Sequence, residues 1–321
     1  MPYAMQITRA GGPEVFERIH VPRPVPGPGQ VLVRVAAVGV NFIETYQRSG
    51  VYAVDYPLVP GVEGAGTVEE AGAGVTGFAV GDRVATTEGA GSYADYMVLD
   101  ADKALPVPDG VSDDVAAALP AQGITAHYLI NSSYRVQPGD TALTYAGAGG
   151  VGLLLIQLLK LRGATVITTT STPEKAELAR EAGADHALDY AEVPRRVREL
   201  TGGRGVDVVY DGIGKDTFEG SLDALRVRGT LVLFGGASGQ VPPFDLQQLN
   251  AHGSLTVTRP KIDDFLLGAV ERRWRSEEIF GLVADGKLKV TIGARYPLKH
   301  AAAAHAAMES RATTGKIILL P

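Results

Sequence analysis

The chain has 321 residues, 40 of them glycine and none cysteine, and a formal charge of −6 from 36 acidic and 30 basic side chains. The length leaves room for two domains and a large core, and zero cysteines exclude disulfides, thiolate zinc sites and thiol nucleophiles. No basic run suggests a nucleic-acid surface, no apolar stretch is long enough to span a bilayer, and the N-terminus lacks a signal-peptide pattern, so a cytoplasmic protein is expected. Up to about residue 120, short Val-rich runs alternate with turn signals and predict a β-rich part. Within it Pro22–Gly29, with a proline at every second position, is an extended surface loop. Gln30–Ala36 is a strand, and Gly81-Asp82-Arg83-Val84-Ala85 is a turn leading into another. From about 120 to 258 the rhythm becomes strand, helix, strand, helix, as expected for a parallel sheet. Its strand candidates are residues 141–145, 164–169, 207–210 and 230–234. After 259 comes a helical middle, with Ala301–Ala307 a helix, and Lys316–Leu320 closes the chain as a strand.

The most informative stretch is Gly147-Ala148-Gly149-Gly150-Val151-Gly152, set between a strand-like run and an apolar helix-like run. Gly147, Gly149 and Gly152 fall on the G-x-G-x-x-G spacing, and Gly150 adds a fourth glycine. The chemistry needs a tight strand-to-helix turn, a backbone approach too close for a Cβ, and free N–H groups at a helix N-terminus facing a pyrophosphate. Spacing alone is weak in a glycine-rich chain; the flanking strand and helix are what make it specific. An NAD-preferring site places Asp or Glu near the end of the next strand, about 20 residues on. Here that end reads Thr170-Ser171-Thr172-Pro173-Glu174-Lys175. Thr170, Ser171 and Lys175 suit a 2′-phosphate, so NADPH is the expected cofactor. Lys175 as a solvated charge, or Glu174 turned in towards ribose hydroxyls, are the competing readings. Tyr190, just past a second short strand signal, is placed to stack near an adenosine.

These motifs belong to a wider pattern. The chain resembles the medium-chain dehydrogenase/reductase superfamily and, within it, the zinc-free quinone oxidoreductases related to zeta-crystallin. The resemblance runs nearly end to end. It is carried by Gly39-Val40-Asn41-Phe42-Ile43-Glu44-Thr45-Tyr46, Arg48-Ser49-Gly50-Val51-Tyr52, Gly61-Val62-Glu63-Gly64-Ala65-Gly66, Ala146–Gly152, Tyr210-Asp211, Phe234-Gly235 and Glu309–Thr313. It implies an α/β protein with a Rossmann nucleotide-binding domain, 121–258. A discontinuous GroES-like β-rich catalytic domain, 1–120 with 259–321, would complete it, with the active site between the two. Zinc-dependent relatives carry a cysteine soon after a Gly-Val pair and a His-Glu pair in a glycine-rich turn; here Asn41 and Val62 stand at those positions, so no metal site is expected. Glu63 reads as a remnant in a turn. Glu44 replaces the usual Asp, which leaves the hydrogen bond of that position open.

The resemblance places Asn41, Tyr46 and Tyr52 near nicotinamide and substrate. Tyr46 or Tyr52 would donate to the developing oxyanion or wall an aromatic slot, while both are also ordinary packing residues for a half-buried loop. Asn41 orients rather than transfers a proton, because an amide does not titrate. Thr125 beside the domain crossover, Phe234, Gly235 and Gly236 after a parallel strand, and Arg311 complete the implied cofactor contacts, with a surface salt bridge the alternative for Arg311. The expected activity is NADPH-dependent reduction of a small-molecule quinone by a homodimer. An enal or enone reductase of the same superfamily is the nearest alternative. A nucleotide- or RNA-binding protein without catalysis is a more distant one, disfavoured by the acidic balance. The dimer is expected to join through Gly253–Arg259, an edge strand in which Leu255 and Val257 alternate with polar residues.

Overall fold

Two compact units, residues 1–124 with 268–321 and residues 125–267, make up the protein, here a computed structural model describing all 321 residues. The first begins with β1 (Tyr3–Ile7) antiparallel to β2 (Phe16–His20). The proline run that follows carries no regular structure, as its fixed φ angles and missing donors require. β3 (Gln30–Gly39) is long and almost wholly buried, because β4 (Gly64–Ala71), β6 (Tyr96–Asp100) and the last strand of the chain all pair with it. Between β3 and β4 runs α1 (Phe42–Ser49), stopped by Gly50 in the left-handed region at φ 80°. β5 (Arg83–Thr86), β7 (Leu105–Pro106) and α2 (Asp113–Ala118) complete this stretch. Val31, Val33, Val38, Val68, Val84 and Met97 form the heart of its core.

α3 (Pro120–Tyr128) leads into the second unit. Its six strands all run parallel: β8 (Thr141–Thr144), β9 (Thr165–Thr169), β10 (His186–Leu188), β11 (Val206–Asp211), β12 (Leu225–Leu233) and β13 (Thr256–Thr258). The helices between them are α4 (Gly150–Leu161), α5 (Pro173–Glu181), α6 (Val193–Leu200), α7 (Phe218–Ala224) and α8 (Gln247–Ala251). The order across the sheet is β10-β9-β8-β11-β12-β13. The chain therefore works outwards from β8 in one direction and then from β11 in the other, which is the doubly wound dinucleotide-binding order. The turn after β8 lies at the point of reversal, where such sheets open a crevice at their carboxyl edge.

The chain then returns to the first unit with α9 (Ala269–Ala284), β14 (Ile292–Pro297), α10 (Ala301–Glu309) and β15 (Lys316–Leu320). The seven-stranded sheet reads β14-β15-β3-β4-β5-β7, with β6 also on β3. β15 lies antiparallel to the end of β3, Ile318 facing Gly39, and the Val40 N–H donates to the Ile317 carbonyl at 3.0 Å. That pairing brings the start of the last strand beside the start of α1. No helix is long and apolar enough to cross a membrane.

Candidate active site

The first unit contains a closed ring of three polar side chains, two of them wholly buried and the third half-buried. Lys316 Nζ donates to Asn41 Oδ1 at 2.7 Å and to Glu63 Oε2 at 2.5 Å, and Asn41 Nδ2 donates to the same Glu63 oxygen at 2.9 Å. Glu63 Oε1 accepts from the Ala121 N–H at 2.7 Å. Lys316 and Glu63 are both wholly buried, so each charge depends on the other and on the amide between them. Glu63 is thus the hub of the ring, not the remnant in a turn that its sequence context suggests. Lys316 is a member that sequence reasoning missed: it reads as the first residue of the closing strand, and nothing local marks its partner 253 residues away.

Glu44 lies against this ring. Its carboxyl accepts from the Asn41 N–H at 2.7 Å and the Val62 N–H at 3.3 Å. The first bond reaches back over the N-terminus of α1 as a capping glutamate does, so the longer side chain in place of Asp still finds its partners. Burial raises its pKa from 4.5 to about 7, against the opposing pull of Lys316 and of the two backbone donors. Farther along, Arg48 is buried, donates from Nε to the Gly11 carbonyl at 3.2 Å and pairs with Glu309. His305 hydrogen-bonds the Tyr93 hydroxyl at 2.9 Å, and burial, aided by the Arg48 charge, lowers its pKa to about 3.

The structure places Tyr46 and Tyr52 against each other. Their ring centroids are 5.3 Å apart at an interplanar angle of 58°, and the Tyr52 N–H donates to the Tyr46 carbonyl at 3.1 Å. Phe42, one turn before Tyr46 on α1, extends the aromatic surface at 6.3 Å from the Tyr46 ring. Tyr52 and Phe42 are 41% and 39% exposed. Phe42 and Tyr46 on α1 and Tyr52 just past its C-terminal Gly50 thus form one cluster of tilted aromatic rings.

In the second unit, most of the expected cofactor residues gather on the carboxyl edge of the parallel sheet. Gly147 follows β8, and Gly149 caps α4, whose first turn is Gly150, Val151 and Gly152. A Cβ on Gly147 would stand 2.2 Å from Thr168 Oγ1, and one on Gly152 2.3 Å from the Ala146 carbonyl oxygen. Thr170 and Ser171 follow β9, and together with Thr172, Pro173 and Asp189 they line a pocket of about 210 Å³. Lys175 lies in the first turn of α5, where its N–H donates to the Thr172 hydroxyl at 3.3 Å. Tyr190, after β10, stacks on Tyr145 with centroids 5.9 Å apart. Phe234, Gly235 and Gly236 follow β12, and the N–H groups of Phe234 and Gly235 donate to the Asp211 carbonyl. Thr125, on α3, is the first residue of this unit. Arg311 belongs to the first unit, exposed in the turn after α10 at φ 57°.

Comparison with known proteins agrees with this architecture. Residues 27–109 match the alcohol dehydrogenase GroES-like domain, and residues 150–276 match the zinc-binding dehydrogenase family. A quinone oxidoreductase of Pseudomonas aeruginosa is 45% identical over 99% of both chains. A 2-haloacrylate reductase of Burkholderia is 43% identical over 100% of this chain and 99% of its own. The crystal structure of Escherichia coli quinone oxidoreductase complexed with NADPH superposes with a TM-score of 0.97, at 40% identity, over 99% of this chain and 100% of that one. The zinc implied by one family description does not fit the residues present. Asn41 and Glu63 already share the Lys316 ammonium, Val62 offers no side-chain donor, and nowhere do three or more His, Cys, Asp or Glu side chains converge as a metal requires. The chain belongs to the quinone oxidoreductase family of the medium-chain dehydrogenase/reductase superfamily.

Proposed function

We propose that the protein is an NADPH-dependent quinone reductase that works without a metal, as a cytoplasmic homodimer. The observation that carries the proposal is the Tyr46–Tyr52 pair. The two rings lie 5.3 Å apart, Tyr46 on α1 and Tyr52 just past its end and tied to the Tyr46 carbonyl, and the N-terminus of that helix is bound into the ring of Asn41, Glu63 and Lys316. A planar quinone suits that surface, and a quinone is electrophilic enough to accept hydride with a single hydrogen bond to polarise it. NADPH supplies the hydride; the protein binds, orients and tunes the charge around the reacting atoms.

The nucleotide fits the second unit. The turn has no room for a Cβ at Gly147 or Gly152 and presents the first N–H groups of α4, which suits a pyrophosphate. Thr170, Ser171 and Lys175 would hold the 2′-phosphate at the pocket after β9, and Tyr190 the adenosine. Thr125, Phe234, Gly235, Gly236 and Arg311 would serve the nicotinamide half. Asn41 has its amide oxygen and nitrogen committed to Lys316 and Glu63, so its part is orientation. Tyr46 is the candidate donor to the developing oxyanion, and Tyr52 the second wall.

The reading is tested by following NADPH oxidation over a panel of quinones, enals, enones and 2-haloacrylate. Flat polycyclic quinones should turn over most efficiently, and simple alcohols should fail as donors to NADP⁺. Tyr46→Phe should lower quinone turnover by at most about 10²-fold, the effect of one lost donor. The similarity to 2-haloacrylate reductase favours one competing reading, hydride transfer to an activated carbon–carbon double bond. Inert quinones beside efficient turnover of an enal, enone or haloacrylate would establish it instead.

A further inference from the structure

The reductase reading leaves Lys316 without a task. Its ammonium is fully buried, joined to the Glu63 carboxylate at 2.5 Å and to the Asn41 amide oxygen at 2.7 Å. Neutralising Glu63 needs only the first of those bonds. The second is directional and falls on the residue at the N-terminus of α1. With Nδ2 of Asn41 tied to Glu63 at 2.9 Å and its backbone N–H tied to Glu44 at 2.7 Å, the Lys316 bond fixes the amide in one orientation. The carbonyl of Asn41 in turn accepts from the Glu44 N–H at 3.3 Å inside the first turn of α1. One turn farther on, the helix carries Tyr46, whose carbonyl holds the Tyr52 N–H. A continuous path of hydrogen bonds and helix therefore leads from the start of β15 to the aromatic pair.

We propose that Lys316 is a positioning residue of the reductase: acting through the Asn41 amide, it sets the N-terminus of α1 and thereby the placement of Tyr46 and Tyr52. Lys316 touches neither ring and moves no proton. Its ammonium bonds Asn41, which stands where zinc-dependent relatives carry a cysteine, and Glu63, the neighbour of Val62, so the cation of this site is one of the chain's own side chains. The inference rests on the proposal that Tyr46 and Tyr52 receive the acceptor, because misplacing them by even about 1 Å is what lowers turnover.

The test separates the hydrogen bond from the charge. Glu63→Gln/Lys316→Gln and Glu63→Gln/Lys316→Met each remove both buried charges, but only the glutamine pair keeps an amide donor facing Asn41 Oδ1, one bond shorter than the lysine it replaces. Steady-state kinetics are run with whichever acceptor the parent enzyme turns over, so the identity of the substrate is decided by the parent alone. The glutamine pair should keep kcat within about threefold, and the methionine pair should lose about tenfold or more, with NADPH affinity little changed in both. Parental kcat in the methionine pair would overturn the proposal and leave Lys316 a neutraliser of Glu63. If the methionine pair does not melt cooperatively, Asn41→Leu replaces it. That variant deletes the acceptor, keeps the Lys316–Glu63 ion pair, and must show the same loss of kcat; parental kcat in it would be equally fatal.

Discussion

Lys175 lies in the first turn of α5, three residues after the Thr172 that borders the pocket following β9. No acid stands at the end of β9 itself, and the positive charge nearest in sequence to the pocket is this ammonium, with Glu174 beside it and Asp189 in the lining. Lys175→Ala should raise the NADPH KM about tenfold or more and the NADH KM far less, because a charged hydrogen bond is worth roughly 1.5–3 kcal/mol. Equal loss for both cofactors would show that Lys175 is a helix-surface charge only. Glu44 offers a second prediction at this scale. Its pKa is raised from 4.5 to about 7, chiefly by burial. Between those values the folded state binds more protons than the unfolded one, so stability is greatest at the acidic end and is lost as pH rises through the folded pKa. Glu44→Gln cannot ionise. Its stability relative to the parent should therefore improve between pH 4.5 and 7, by on the order of 3 kcal/mol at most. Denaturant melts of both proteins across that window measure the gap, and a gap independent of pH would mean that Glu44 stays ionised throughout.

The turn between β8 and α4 shows how geometry selects glycine. A Cβ on Gly152 would meet the Ala146 carbonyl oxygen at 2.3 Å and Gly147 Cα at 2.9 Å, all backbone of the same turn, whereas one on Gly149 would meet only the Ala146 oxygen at 3.2 Å. Gly152→Ala should therefore lower the melting temperature of the cofactor-free protein by an overpacking cost of about 1–3 kcal/mol, and Gly149→Ala by clearly less. Equal melts would mean that the turn relaxes freely. This element was legible in the sequence because its signal is local: strand, glycines and apolar helix are contiguous. The closing strand at Lys316–Leu320 was legible for the same reason. Other boundaries moved where backbone conformation interrupts the pattern. The strand expected over Gly253–Arg259 is confined to Thr256–Thr258, since Gly253 and Ser254 have φ of 102° and 59° and form a turn. β12 begins at Leu225, ahead of the expected Thr230, through arginine-containing residues that do not read as apolar alternation. The Lys316–Glu63–Asn41 ring was not legible at all. Its members are strong individually only because the antiparallel pairing of β15 on β3 brings the two ends of the chain together.

At the scale of the whole molecule, the parallel sheet of the second unit ends in an open edge. β13 pairs with β12 on one side and with no strand on the other. Thr256 is exposed, and Val257 and Thr258 are half-buried. Val227, beside the Gly253 turn, and Leu246 are 67% and 70% exposed. A bare strand edge with an exposed apolar side chain beside the turn that leads into it is an arrangement that proteins cover, and a second copy related by a two-fold axis covers it with the same surface. The sheet would then continue from one subunit into its partner. Light scattering coupled to size exclusion should accordingly report a particle of twice the chain mass of 33.6 kDa at micromolar concentration. Backbone amide exchange supplies the second measurement: the outward N–H groups of residues 256–258 should be protected in the assembled protein and should lose that protection on dilution to monomer. A particle of a single chain mass, or fast exchange at this edge in a dimer, would place the contact elsewhere or remove it.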